Sequence, residues 1–328
     1  MERLRDYDHF IDKRGLLFNV KGPHHREGKV RSSLIYIPMP FPTGKQHVET
    51  GIHYARLIDD IGNVFCARNV NEVYYQDPIT ADSFVAVPVA DIEKYYGVLE
   101  EKDRVMKLFE ADHPVFKVLN KIKNMGISEA SLGFFGTALA RVLNRQRGTD
   151  FISDVDIVIY GVDNYRKWLE VYEEALKDWL IWPGMSRNRY RDFSGNFPFS
   201  FEEATKQFGE RRCPYKLRLG DVKFDIRFAY TDGEEPPEER FSPMKEIKTS
   251  GTIVESVNSG CCPAVYKIES DKEGLVRILT YRHHYRHLFN KGEDVTVFGM
   301  LTSNPQKTIT LERHDYYIKD SSLFDYYD

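Results

Sequence analysis

Three aspartates sit in runs that otherwise read as β-strand. "SDVDIVIYG", Ser153 to Gly161, carries Asp154 and Asp156 among valine, isoleucine and tyrosine, and "VKFDIRFAY", Val222 to Tyr230, sets Asp225 between Phe224 and Ile226. Aspartate is depleted from strands, and burying an ionised carboxylate without a partner is costly. Residues two apart on a strand share a face, so Asp154 and Asp156 project side by side and repel unless something neutralises them. A magnesium ion can do so, because it takes oxygen ligands and keeps positions for water and phosphate oxygens. If the strand of Asp225 lies beside the first in register, three carboxylates converge. Such a set can hold two Mg2+ ions for in-line phosphoryl or nucleotidyl transfer.

Upstream, "LGFFGTALARVL" places Gly136-Thr137 where a strand meets a helix. Glycine lets the backbone approach a phosphate, and a helix N-terminus presents unpaired N–H groups and a positive dipole end to an anion. Thr137 adds a hydroxyl donor. A phosphate cradle, a short helix and then an Asp-x-Asp strand together suit a nucleoside triphosphate with its magnesium.

Gly136-Thr137, Asp154-Val155-Asp156-Ile157 and Asp225 on a later strand resemble the motifs of the DNA polymerase β-type nucleotidyltransferase superfamily. They cover about residues 101–236. The whole layout also resembles uncharacterised archaeal predicted nucleotidyltransferases. The resemblance implies a small mixed sheet flanked by helices, with Asp154, Asp156 and Asp225 binding two Mg2+ ions. It further implies transfer of a nucleoside monophosphate from the triphosphate to a hydroxyl or phosphate acceptor. Two departures stand out. Thr137 replaces the usual serine or glycine, which keeps a hydroxyl and a backbone N–H, and the spacer to Asp154 is lengthened through "NRQRG", Asn144 to Gly148.

Each motif also has a plainer reading. Asp154 and Asp156 fit a solvent-facing strand end, Gly136 fits a turn, and Arg227 is a ready structural partner for Asp225. Charge balance around a triphosphate calls for cations, and "GERRCPYKLRLG" supplies Arg212 and Lys216 as candidates near the Asp225 strand. Arg187, Arg189 and Arg191 in "SRNRYRDF" read as a solvated loop or as a grip on a phosphate backbone. His283 and His287 in "YRHHYRH" have zinc-like spacing if helical, but no third ligand is apparent. An exposed polar or RNA-contacting patch fits them better.

The elements that would position these residues follow from the patterning. Residues 1–100 read as a small N-terminal α+β region, with strands in "GLLFNVKG" and "SSLIYIPMP" and a strand leading into helix in "ITADSFVAVPVADIEKYYG". Residues 101–236 alternate helix and strand: a helix from Pro114 stopped near Gly126, the strand "SLGFFG", a helix running to Gly148 and the Asp154 strand. An amphipathic helix with a capping-type Asp163 and a stripe of Trp168, Leu169, Tyr172, Leu176 and Trp179 follows. A hairpin turning at Gly220-Asp221 closes the unit. "TDGEEPPEERFSPMKE" has linker composition. Five strand-like runs over 245–320 predict a small all-β domain, a β-barrel for which an OB-like form is one candidate. The fold class is therefore α+β.

Bulk properties leave this scheme standing. The 328 residues have 41% hydrophobic and 29% charged content and a net charge of −4, ordinary for a globular protein and unlike a generic nucleic-acid coat. No run approaches the roughly 20 apolar residues of a membrane span, and the charged N-terminus lacks a signal-peptide core. The expected address is cytoplasmic, with no membrane partner. Cys66, Cys213, Cys261 and Cys262 lack metal or disulfide spacing. The expected function is Mg2+-dependent nucleotidyl transfer from an NTP to an unknown acceptor, RNA among the candidates. The alternative is a catalytically inactive nucleotidyltransferase-fold module that binds RNA or protein, with Tyr266, Arg277, Tyr281, Arg282 and Tyr285 of the last domain as contact residues.

Overall fold

The computed structural model describes residues 4–23, 25, 28–38, 46–49, 52–56, 75–76, 85–143, 152–179, 199–209, 216–236, 243–282, 285–302, 306–311 and 316–324. The architecture is mixed α+β, and the chain divides into two compact units. The first comprises Met1–Tyr75, Val85–Ile181 and Cys213–Glu235, and the second Gln76–Phe84, Trp182–Arg212 and Pro236–Asp328. Among the described residues, no helix is long and apolar enough to cross a membrane.

The N-terminal sheet contains β1 (His9–Asp12), β2 (Leu17–Val20), β3 (Lys29–Pro38), β4 (Gln46–Glu49), β5 (Ile52–Arg56), β6 (Tyr75–Gln76), β7 (Val85–Pro88) and β8 (Ile92–Tyr96). Its main path runs β4-β5-β3-β2-β1-β8, with β7 joined to β3. Helix was expected after "FVAVP", but only one turn forms at Val89–Asp91 before β8 takes over. The reason is tertiary: β8 pairs antiparallel with β1, His9 opposite Tyr96, which supplies ladder hydrogen bonds that five isolated residues cannot make as helix.

Buried polar groups tie this layer down. Asp8 accepts from Tyr95 Oη at 2.5 Å, Val98 N at 2.9 Å and Arg5 N at 2.8 Å. Its neighbour His9 is buried, its Nδ1 2.8 Å from the carbonyl of Tyr7. Burial pushes the His9 imidazole down to about 3 and the Asp8 carboxyl up to about 7. The two act on stability with opposite signs. His9, depressed below its unfolded value, favours the fold fully above about 6.5 and loses that contribution as pH falls toward 3; Asp8, raised, favours the fold below about 4 and loses that contribution as pH rises through 7. A neutral His9→Gln should therefore improve acid tolerance relative to wild type, by about 2 kcal/mol between pH 6.5 and 5. Denaturant titrations at the two pH values check this; a gap between the proteins that does not change with pH would refute it.

The central sheet is four-stranded, in the order β11 (Lys216–Leu219), β12 (Val222–Ala229), β10 (Asp154–Tyr160), β9 (Leu132–Phe135). Helices α1 (Lys102–Met106) and α2 (Pro114–Asn124) precede it, α3 (Gly136–Leu143) follows β9, and α4 (Val162–Leu176) follows β10. Pro114 occupies the first turn of α2 and the His113 ring caps it, accepting from Val115 N at 3.1 Å. α4 buries Val162, Tyr165, Trp168, Tyr172 and Leu176, with Tyr165 and Trp168 against Phe228 of β12. The helix ends three residues before Trp179, and its N-cap is Gly161 rather than Asp163, which sits exposed in the first turn. The apolar face of β12 (Val222, Phe224, Ile226, Phe228) thus packs on α4, leaving its alternate residues on the opposite face.

The C-terminal region is a closed five-stranded β-barrel. β13 (Pro243–Asn258), β14 (Ala264–Ser270), β15 (Gly274–Thr280), β17 (Thr308–Thr310) and β16 (Asp294–Thr302) pair in that circular order, and β16 returns to β13. β18 (Tyr317–Asp320) adds outside β16, and among the described strands of this sheet the β15–β17 pair alone is parallel. β13 begins inside the stretch read as linker, because Pro243 to Glu246 already pair with β16. Gly251 of the long strand lies close against β14, where a Cβ would collide with the carbonyl of Glu269. Ile253, Ile268, Val276, Ile278, Val295, Val297 and Ile309 fill the interior. A helix of four residues, α5 (Phe201–Ala204), belongs to the same unit and opens with a Ser200–Glu203 capping box.

Candidate active site

The register of the central sheet assembles the three acids. β10 and β12 are parallel neighbours, with Asp156 directly beside Asp225 and Asp154 beside Lys223. Paired residues of adjacent strands project to the same face, so Asp154, Asp156 and Asp225 share one surface, the one opposite α4. Asp154 is exposed at the strand end, Asp156 half-buried, and Asp225 8% exposed. The clustering is energetically unfavourable for charge. Burial first, then the carboxylates of Asp225 and Asp154, push the Asp156 carboxyl up to about 7, against the pull of Lys216 and Arg227.

Gly136 reaches the same spot. β9 pairs antiparallel to β10 with Phe135 opposite Asp156, and the chain turns into α3 at Gly136 with φ +62. A Cβ there would overlap the Asp156 carboxylate, so the backbone lies against the acid and only glycine fits both the space and the dihedral. Thr137, half-buried, occupies the first turn of α3. The bend and the acids are thus one site.

A cationic border surrounds them. Lys216 of β11 stands opposite Asp225, and its Nζ pairs with Asp225 Oδ2. Arg227, two residues along β12, donates from Nη2 to the same oxygen at 2.7 Å. Arg218 and Lys223 pair with each other across the hairpin on this face, and both are exposed. Lys223 was missed from sequence, although the alternation Lys-x-Asp-x-Arg in "VKFDIRF" is a legible sign that the three share a face. Arg212 lies outside the described residues, as do Arg187, Arg189, Arg191 and His283.

The N-terminal layer backs this face, which sequence gave no reason to expect. Tyr160, on the acid face of β10, donates its hydroxyl to the carbonyl of Asp6 at 2.7 Å, and the Tyr7 ring lies 4.6 Å from that of Phe135.

The donor set is all oxygen, which suits magnesium. Asp225 Oδ1 is buried with no hydrogen-bond partner, an orphaned acceptor of the kind a cation satisfies. Yet among the described residues no three acidic, histidine or cysteine side chains are arranged to hold a metal ion, and Asp225 is paired with Lys216 and Arg227.

The barrel residues expected to contact RNA have little exposed surface. Tyr266, Arg277, Tyr281, Arg282 and Tyr285 are all buried. Tyr266 Oη donates to the carbonyl of Tyr285 at 2.6 Å, and Arg282 to that of Tyr316 at 3.0 Å. Tyr266 and Tyr285 belong to the barrel's apolar core, whereas Tyr281 packs with Cys262 and Leu279 in a separate cluster.

The sequence is 24% identical over 332 residues to an uncharacterized protein of Methanocaldococcus jannaschii, a match covering 91% of this chain and 90% of that one. No family model matches the chain, and no solved structure matches it.

Proposed function

We propose that the first unit is a nucleotidyltransferase that moves a nucleoside monophosphate from a triphosphate to a hydroxyl or phosphate acceptor, releasing pyrophosphate. The observation that carries the reading is the register of β10 on β12, which puts Asp156 beside Asp225 with Asp154 on the same face and the Gly136 backbone against Asp156. The nucleotidyltransferase-like fold expected from the motifs belongs to this reading. Magnesium, held by these carboxylates, would supply charge neutralisation for the phosphates and for the attacking oxygen. The chain's own part is to present Gly136 and Thr137 to the phosphates, to offer Lys216, Arg218 and Lys223 as counter-charges, and to hold the acceptor near the exposed Asp154. The enzyme acts in the cytosol on this reading. RNA is a candidate acceptor on the reading that the barrel, ordered first-second-third-fifth-fourth and back to the first, is an OB-like domain, a fold that binds oligonucleotides.

Labelled nucleoside triphosphates with Mg2+ and a pool of RNA provide the test. Pyrophosphate release and label transfer are expected from wild type and lost from Asp154→Ala/Asp156→Ala. Turnover that survives the double substitution would remove the assignment.

A second reading is a silent module of the same fold that binds RNA or protein. The neutralisation of Asp225 by two cations favours it. It predicts partner binding that is indifferent to Asp154 and Asp156, with no triphosphate affinity.

A further inference from the structure

We propose that Lys216 is a charge gate on Asp225, released by the polyphosphate of the incoming nucleotide so that metal and triphosphate load together. The proposal rests on the nucleotidyltransferase reading and extends it to the order of loading. Asp225 Oδ2 carries both Lys216 Nζ and Arg227 Nη2, while Oδ1 is buried without a hydrogen-bond partner. One oxygen is therefore doubly compensated and the other not at all, an imbalance a purely structural ion pair does not need.

The two cations are not equivalent. Arg227 stands on β12 beside the acid it holds, with a side chain 16% exposed. Lys216 reaches across from β11, at the end of the sheet order, with a side chain 29% exposed. An arginine fork suits a fixed, enclosed pairing, whereas an ammonium on a flexible stem is a point charge that moves between anions. The face around it carries three carboxylates and the cations Lys216, Arg218, Lys223 and Arg227, so a triphosphate entering there competes directly with Asp225 for Lys216. When Lys216 turns to the phosphates, Arg227 still positions Asp225, and the acid's oxygens are open to a cation. With Lys216 in place, the cation competes against a charge already seated, which accounts for three converging acids that do not form a metal-ligand group among the described residues.

The test uses the full chain with Mn2+ alone, followed by electron paramagnetic resonance, and inorganic tripolyphosphate in EDTA. Lys216→Met should bind Mn2+ about tenfold more tightly than wild type and tripolyphosphate about tenfold more weakly, since removing one charge at contact distance changes ionic affinity by about that factor. Lys216→Arg, which keeps the charge but pairs more firmly with the carboxylate, should bind Mn2+ no more tightly than wild type and tripolyphosphate more weakly than wild type. Lys216→Gln replaces the methionine variant if the latter does not fold. Adding Asp225→Ala to Lys216→Met should abolish the gain in Mn2+ affinity.

The two ways of failing are distinct. If Asp225→Ala weakens Mn2+ binding in wild type but Lys216→Met leaves it unchanged or weaker, the gate is overturned and the metal reading stands. If Asp225→Ala changes nothing in either background, the metal is not at this acid and both fall.

Discussion

Asp156→Asn is expected to cut the proposed nucleotidyl transfer by about 10²–10³-fold while leaving the protein folded and, at pH 8, more stable than wild type. The loss follows from position. Asp156 is the middle acid of the face, beside Asp225 and against the Gly136 backbone, so it joins the acids to the bend. The gain follows from charge. Burial and two neighbouring carboxylates hold the folded Asp156 carboxyl up to about 7, whereas in the unfolded chain it ionises near 3.9. Between those values the fold holds more protons than the unfolded chain, so this group's contribution is present below about 4 and declines as pH rises through 7. Asparagine carries no charge and does not share the decline. Denaturant titrations at pH 5 and pH 8 should show the variant's advantage grow with pH, to on the order of 1–2 kcal/mol. A variant that is active, or less stable than wild type at pH 8, would contradict the arrangement.

Gly136→Ala is expected to reduce transfer by about 10²-fold, the cost of displacing a reacting group by about 1 Å. It adds a Cβ where φ is +62 and where the Asp156 carboxylate already stands. The backbone penalty alone is about 1–2 kcal/mol, so lost activity by itself would be ambiguous. Gly220 separates the effects. It has φ +60 in the turn between β11 and β12, with nothing within 4 Å of its virtual Cβ. Gly220→Ala should carry a similar stability cost with activity intact. Equal activity losses in both, measured as kcat at saturating nucleotide, would mean Gly136 acts only as a turn.

The acids were legible in the sequence because alternation is local: a charge at every second position of an apolar run fixes which residues share a face. Asp154, Asp156 and Asp225 were found that way, and Lys223 with Arg227 lay open to the same reasoning. Which strands adjoin was not legible. The parallel pairing of β10 with β12 brings together residues about 70 positions apart, and no local pattern encodes that choice. Long-range packing hid the N-terminal layer too, since Tyr7 and Phe135 meet only in the fold. The helix expected near residues 89–96 lost to pairing with β1. The barrel and its five runs were visible from their turn residues, but which strands pair to close it, β16 on β13, was not. Mistaking Tyr266, Arg282 and Tyr285 for surface had another cause: amphipathic side chains occur in interiors and in binding faces alike, and composition does not distinguish them.

β13 is sixteen residues long and shared by two partners, β14 through one part and β16 through most of its length. In a ring of strands, none of the five peels away without breaking hydrogen bonds on both sides. Amide exchange along β13 is thereby tied to loss of the whole ring rather than to local fraying, and the C-terminal region behaves as a single cooperative block. β18 joins that block from outside the ring: it pairs with β16, and Gln207 holds its backbone through the carbonyl of Ile318 at 2.9 Å and the N–H of Asp320 at 3.2 Å.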